Sequence, residues 1–282
     1  MHPQPNLCYT IAIDAPGTDV HRRMARLLVT SLIHTGWNGR IAVFRNQPNP
    51  VLPEQHPDVE EYELEIQPGS KWNEILSWKY RLRDRLDLRG IGKVLIVDCD
   101  CIALRNINHL MYGGWDIYTS HEPARMVEQP FNGYLTEQEM TSLGDRPGIN
   151  SGTIGIRAEV FDDVMLEWER LDKLQPIRPS KCRDQHSWNR LILDTRLRHR
   201  TFGPGEVQFP FLNGATYRNY RNAALVHAAS LESQQKLSLL FGLWMDSFGH
   251  GRFEECTALP NATDLSPMRP GLLRRSQRGV HH

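Results

Sequence analysis

Short apolar runs alternate with longer amphipathic stretches along most of this sequence, the rhythm of strands separated by helices. Residues 9–13 are β-prone and are broken by Asp14-Ala-Pro-Gly17. Thr18 or Asp19 is then expected to cap a helix. Met24, Leu27, Leu28, Ser31, Leu32 and Thr35 share one helical face, Gly36 supplies the stop, and residues 40–44 resume as strand. Acidic residues alternate with Tyr62, Leu64 and Ile66, which predicts a strand with one wet face. Residues 72–86 carry a helical stripe of Trp72, Ile75, Leu76, Lys79, Leu82 and Leu86. The unbroken run 93–97 reads as a central strand covered on both faces.

Further along, 116–119 is read as a short strand and 150–156 as another. A helix is marked by Val160, Phe161, Val164, Trp168 and Leu171, and a second by 184–193. A late strand ends at 225–227. The segment 121–148 is polar, holds Pro123, Pro130, Gly133, Gly144 and Pro147, and shows no period. It is expected to be a long loop, a lid or acceptor loop spanning 121–149. Alternating strands and helices predict an α/β fold with a mostly parallel central sheet flanked by helices. In such sheets ligands bind beyond the carboxyl ends of the strands, so residues just after strands carry the chemical interest.

Composition narrows the picture without locating a site. The 282 residues include 33 basic and 33 acidic side chains, a formal net charge of zero. That balance argues against nucleic acid as a partner, while leaving room for a small anion held by local charges. No apolar stretch is long enough to span a bilayer, and the first residues lack the pattern of a cleaved leader. Cys8, Cys99, Cys101, Cys182 and Cys256 are scattered and odd in number, as expected for reduced thiols in a cytoplasmic protein, with no zinc-binding spacing. Residues 1–256 are expected to form one domain. Residues 257–282, with Arg269, Arg274, Arg275 and Arg278, are expected to form a poorly ordered basic tail, with weak contact to an anionic membrane surface as the alternative to simple solvation.

Asp98-Cys99-Asp100 follows the central apolar run directly. In an extended chain the two carboxylates would point to one side and Cys99 and Cys101 to the other. Paired carboxylates at a strand end repel each other unless a cation or donors compensate them. Such a pair suits magnesium or manganese, which commonly also takes oxygens from a diphosphate. The plainer reading makes one Asp a helix cap and the other a solvated group.

The segment 93–104 and the Asn106-Ile-Asn-His-Leu110 turn after it resemble the Asp-x-Asp segment of nucleotide-sugar glycosyltransferases of the GT-A fold, most closely family 8. The likeness continues, in order, through Asn150-Ser151-Gly152, Asp184-Gln185 and the strand ending at His227. It implies that Asp98, Asp100 and His227 hold Mn2+ or Mg2+. It also implies that Asn150, Asp184 and Gln185 act at the reacting sugar. Ala12, Asp14, Lys79, Asp98, Cys99, Ser151, Gly152 and Lys236 would bind the donor. The sequence departs from the family after His227, where the expected Gly, Pro and Trp are missing, so the diphosphate-binding lysine is open between Lys236 and none; Arg221 is another basic candidate.

The resemblance implies metal-dependent transfer of a sugar from a nucleotide-diphosphate sugar, UDP-hexose favoured, to a hydroxyl acceptor with retention. An inverting enzyme would need a carboxylate base, for which Glu122, Asp184 and Asp194 are candidates. Two rivals remain: a haloacid-dehalogenase-type phosphatase with Asp98 as nucleophile, and a non-catalytic nucleotide-sugar-binding module.

Overall fold

The computed structural model describes residues 4–67, 70, 72–128, 135–174, 183–203, 205–209, 222–229 and 231–249. Arg221 and the basic tail 257–282 lie outside the described residues. Seven strands form the central sheet: β1 (Asn6–Ala12), β2 (Gly39–Arg45), β3 (Val59–Glu63), β4 (Lys93–Val97), β6 (Ile117–Arg125), β7 (Pro147–Arg157) and β8 (His199–Phe202), in the order β3-β2-β1-β4-β7-β6-β8. Neighbours run parallel except at β7, which is antiparallel to both β4 and β6. A smaller sheet joins β5 (Cys101–Ala103), β9 (Val207–Gln208) and β10 (Leu225–His227) in the order β5-β10-β9. The expected α/β fold with a mostly parallel central sheet is what the chain forms.

Alternation along the central strands sends side chains to two cores, one on each face. On one face, Cys8, Ile41, Val43, Leu95 and Val97 pack with helix α1 (Val20–His34) and with α7 (Ser233–Phe248). On the other, Leu7, Tyr9, Phe44, Val94 and Ile96 pack with α5 (Phe161–Leu174) and α6 (Arg183–Asp194). The stripe read in α1 is buried as expected at Met24, Leu27, Leu28, Ser31 and Leu32. Gly36, at φ +78°, adopts the left-handed conformation that ends the helix.

Three expectations are corrected. The 72–86 segment is not one helix: it divides into α2 (Trp72–Leu76), α3 (Trp78–Arg81) and a 3-10 turn over Leu82–Arg85. The long loop read over 121–148 carries the second half of β6, helix α4 (Glu137–Leu143) and the start of β7. Helix α4 begins at a Thr136/Glu139 capping box, in which each side chain bonds the other residue's backbone amide. Beyond Tyr118 the buried residues of β6, among those whose burial is described, are Thr119, Ser120 and Glu122, polar side chains that leave no hydrophobic period to read. Finally, neither Thr18 nor Asp19 caps α1 through its side chain; Asp14 does so from the end of β1, accepting the amides of His21 at 2.8 Å and Arg22 at 2.9 Å.

Trp168 of α5 ties the second core to α6. Its indole is wholly buried against Trp188 and Tyr80, and Nε1 donates to the Asp184 carbonyl at 3.0 Å. Trp168→Ala is expected to lower stability by about 3–5 kcal/mol, read from urea unfolding, through the cavity and the lost bond.

Candidate active site

The carboxyl end of β4 is where the two sheets meet the helices. Asp98 follows β4 directly, and its amide donates to the Gly152 carbonyl of β7 at 2.8 Å, which continues the β4–β7 pairing by one residue. The chain then turns: the Cys101 amide donates back to the Asp98 carbonyl at 3.2 Å, and β5 begins. The Asp100 carbonyl accepts from Ala228, just past the end of β10, at 2.8 Å. These contacts set Asp98 and Asp100 on either side of His227. The imidazole Nε2 lies 3.1 Å from Asp100 Oδ1 and 3.9 Å from Asp98 Oδ2.

Gly152 makes this approach possible. A Cβ at that position would lie 2.2 Å from His227 Cε1 and 2.7 Å from Asp98 Oδ2, distances that no side chain tolerates. The glycine therefore serves contact between strand backbone and site rather than a turn.

Two lysines, Lys79 buried and Lys236 half-buried, compensate the acids. Lys79 of α3 reaches Asp98 Oδ1 at 2.8 Å and Asp184 Oδ2 at 3.0 Å, and donates to the Ser151 carbonyl at 3.2 Å. Lys236 of α7 lies 2.6 Å from Asp100 Oδ2. Burial alone would lower the pKa of both ammonium groups, but the neighbouring carboxylates win and raise them. Burial likewise opposes the ionised form of Asp100, yet His227 and Lys236 hold its carboxyl well below the usual range. His227 is raised for the same reason: Asp100 outweighs the burial that would lower it.

A neutral relay adjoins this charged group. Ser151 Oγ donates to Asp184 Oδ2 at 2.9 Å. Gln185 Oε1 accepts from Asn150 Nδ2 at 3.0 Å and from the Ser151 amide at 3.3 Å. Asn150 Oδ1 accepts the Gly152 amide at 2.7 Å, while its Nδ2 also donates to Glu122 at 2.8 Å. Glu122 on β6 has no ion-pair partner among the described residues, and burial raises its carboxyl pKa, with Asn150 opposing. Both amide groups are thus held in one orientation by backbone and carboxylate.

The sequence-derived residues divide accordingly. Asp98, Asp100, Asn150, Ser151, Gly152, Asp184, Gln185, His227, Lys79 and Lys236 come together in one connected cluster. Ala12 is buried at the end of β1, and the Asp14 carboxylate is committed to the amides of α1. Cys99 is buried in the turn. Asp194 sits instead at the far end of α6, paired with Arg190. Glu122 was read only as one of three possible bases; its place in the relay follows from the β6–β7 pairing of Ser120 with Asn150, which no local motif reveals.

The donor set fits a divalent cation. Asp100 and His227 lie within ligand-sharing distance of each other, Asp98 stands farther off at 3.9 Å from the same imidazole nitrogen and outside that close group, and His227 Nδ1 is buried without a hydrogen-bond partner among the described residues. Oxygen and nitrogen donors together suit manganese-like ions.

No protein-family model matches the sequence, and no curated protein matches it. Among solved structures the fold is similar to the apo structure of the bifunctional glycosyltransferase WbbM, with a TM-score of 0.58 and 12% sequence identity. The match covers 90% of this chain and 52% of that one, so this chain spans about half the length of its structural neighbour. No helix among the described residues is long and apolar enough to cross a membrane.

Replacing Lys79 by Met should leave two carboxylates facing each other without their shared cation. A loss of about 3–5 kcal/mol in denaturant unfolding is expected, and a change below about 0.5 kcal/mol would show the lysine to be dispensable. The fold is similar to that of the glycosyltransferase WbbM, and an acid-rich, cation-compensated cluster stands at the end of its central strand.

Proposed function

We propose that the protein is a metal-dependent glycosyltransferase of the GT-A class, related to family 8, that moves a hexose from a nucleotide-diphosphate sugar, UDP favoured, to a hydroxyl acceptor. The observation that carries this reading is the meeting of Asp100 and His227 just past the end of β4, with Asp98 near by, beside the Asn150-Ser151-Gly152 segment and the Asp184-Gln185 pair.

Asp100 and His227, with Asp98 beside them, would hold Mn2+ or Mg2+. A cation bound there supplies charge neutralisation for a departing diphosphate. Lys236, which lies beside Asp100 at the edge of the site, would be placed to meet a phosphate oxygen of the donor. Lys79 stays with Asp98 and Asp184 and keeps the pocket wall rigid.

Asn150, Ser151, Asp184 and Gln185 orient the sugar. Their polar atoms are already fixed by mutual hydrogen bonds, so little reorganisation accompanies transfer. The acceptor oxygen forms its bond to the anomeric carbon, the bond to the diphosphate oxygen breaks, and the acceptor proton leaves with the diphosphate. Holding both reactants in one orientation supplies most of the rate enhancement in such a mechanism. Retention at the anomeric carbon is what the resemblance to family 8 implies.

Asp100→Asn keeps the shape of the side chain and removes its charge. Manganese-dependent release of UDP from UDP-glucose should fall by at least about a hundredfold, with an unchanged circular dichroism spectrum. Equal UDP release by variant and parent would remove Asp100 from the site.

A further inference from the structure

The turn after β4 delivers a thiol to the same place as the carboxylates. Alternation in an extended chain would send Cys101 away from Asp100, but the chain is not extended there. The Cys101 Sγ, an Asp100 oxygen and a His227 ring nitrogen all lie within 4.8 Å of one another. Strand pairing enforces this. Cys101 and His227 stand directly opposite each other across β5 and β10, so their side chains leave the sheet on the same face. Asp100 joins them because its carbonyl is bound to the residue after His227. All three residues are buried, Cys101 completely.

We propose that Cys101 contributes a thiolate sulfur to the cation held by Asp100 and His227, so that the site prefers a thiophilic divalent ion of the zinc and cobalt class over magnesium. This rests on the assignment of Asp100 and His227 as cation ligands and adds to it the chemical class of the ion. A set of all-oxygen donors suits hard ions, whereas a thiolate beside an imidazole selects softer ones. One sulfur, one nitrogen and one oxygen from the protein leave a fourth position for a substrate oxygen, the plan of a reactive rather than a sealed site.

Binding would convert the Cys101 thiol to a thiolate. The proton leaves to solvent as the sulfur lone pair forms the bond to the ion. Cys99, also buried in the turn, is not part of the converging group.

Cobalt(II) reads the ligand set directly, with no need for a sugar substrate. Titration of the full chain should produce a thiolate-to-cobalt charge-transfer band in the near ultraviolet, saturating at about one ion per chain. Zinc should bleach the band and magnesium in about hundredfold excess should not. Cys101→Ser should lose the band and bind cadmium at least about tenfold more weakly, while Cys99→Ser keeps both. If Cys101→Ser fails to fold, the parent spectrum still decides. Cobalt bound with ligand-field absorption alone, or a band that survives in Cys101→Ser, would overturn the sulfur ligand and leave the Asp100–His227 cation site standing. Absence of any bound cobalt would overturn both.

Discussion

Three carboxyl groups, from the buried Asp100 and Asp184 and the half-buried Asp98, are gathered at the end of the central strand. Such a group cannot persist uncompensated, since each buried charge without a partner costs several kcal/mol. Lys79 answers Asp98 and Asp184, while Lys236 and His227 answer Asp100. The arrangement of the surrounding elements follows from that need. α3 packs where Lys79 can reach β4 and α6 together, and the first turn of α7 brings Lys236 to the Asp100 turn. β10 ends at the one residue that both acids of the motif face.

The compensation is unequal in kind. Lys79 bridges two acids from different elements and is almost fully buried, so it holds the architecture. The part-exposed Lys236 and the buried His227 share one acid, so either can give way to another cation without leaving that acid bare. One half of the cluster is therefore structural and the other exchangeable. That asymmetry is what a site needs if it is to accept a metal together with an anionic donor while the fold stays intact.

Much of this was legible in the sequence because the relevant signals are local. The apolar run of β4 matches its observed bounds, and the residues after it form the site. The β1–α1–β2 opening follows from periodicity and the stop at Gly36. What periodicity cannot convey is contact across distance. Asp14 caps α1 from seven residues away, and Glu122 enters the relay through strand pairing. The second half of β6 was hidden because it buries polar side chains toward the site and carries a proline at a register shift. Cys101 was placed on the wrong side because two turn residues, 99 and 100, reset the alternation.

On the proposed function, the exchangeable half of the cluster would recruit a cation and then a nucleotide. Calorimetric titration of the full chain with UDP, in the presence of Mn2+ and again with the metal chelated, tests that most directly. The account predicts saturable binding with the metal and a loss of at least about tenfold in affinity without it. Equal affinity under the two conditions would contradict it.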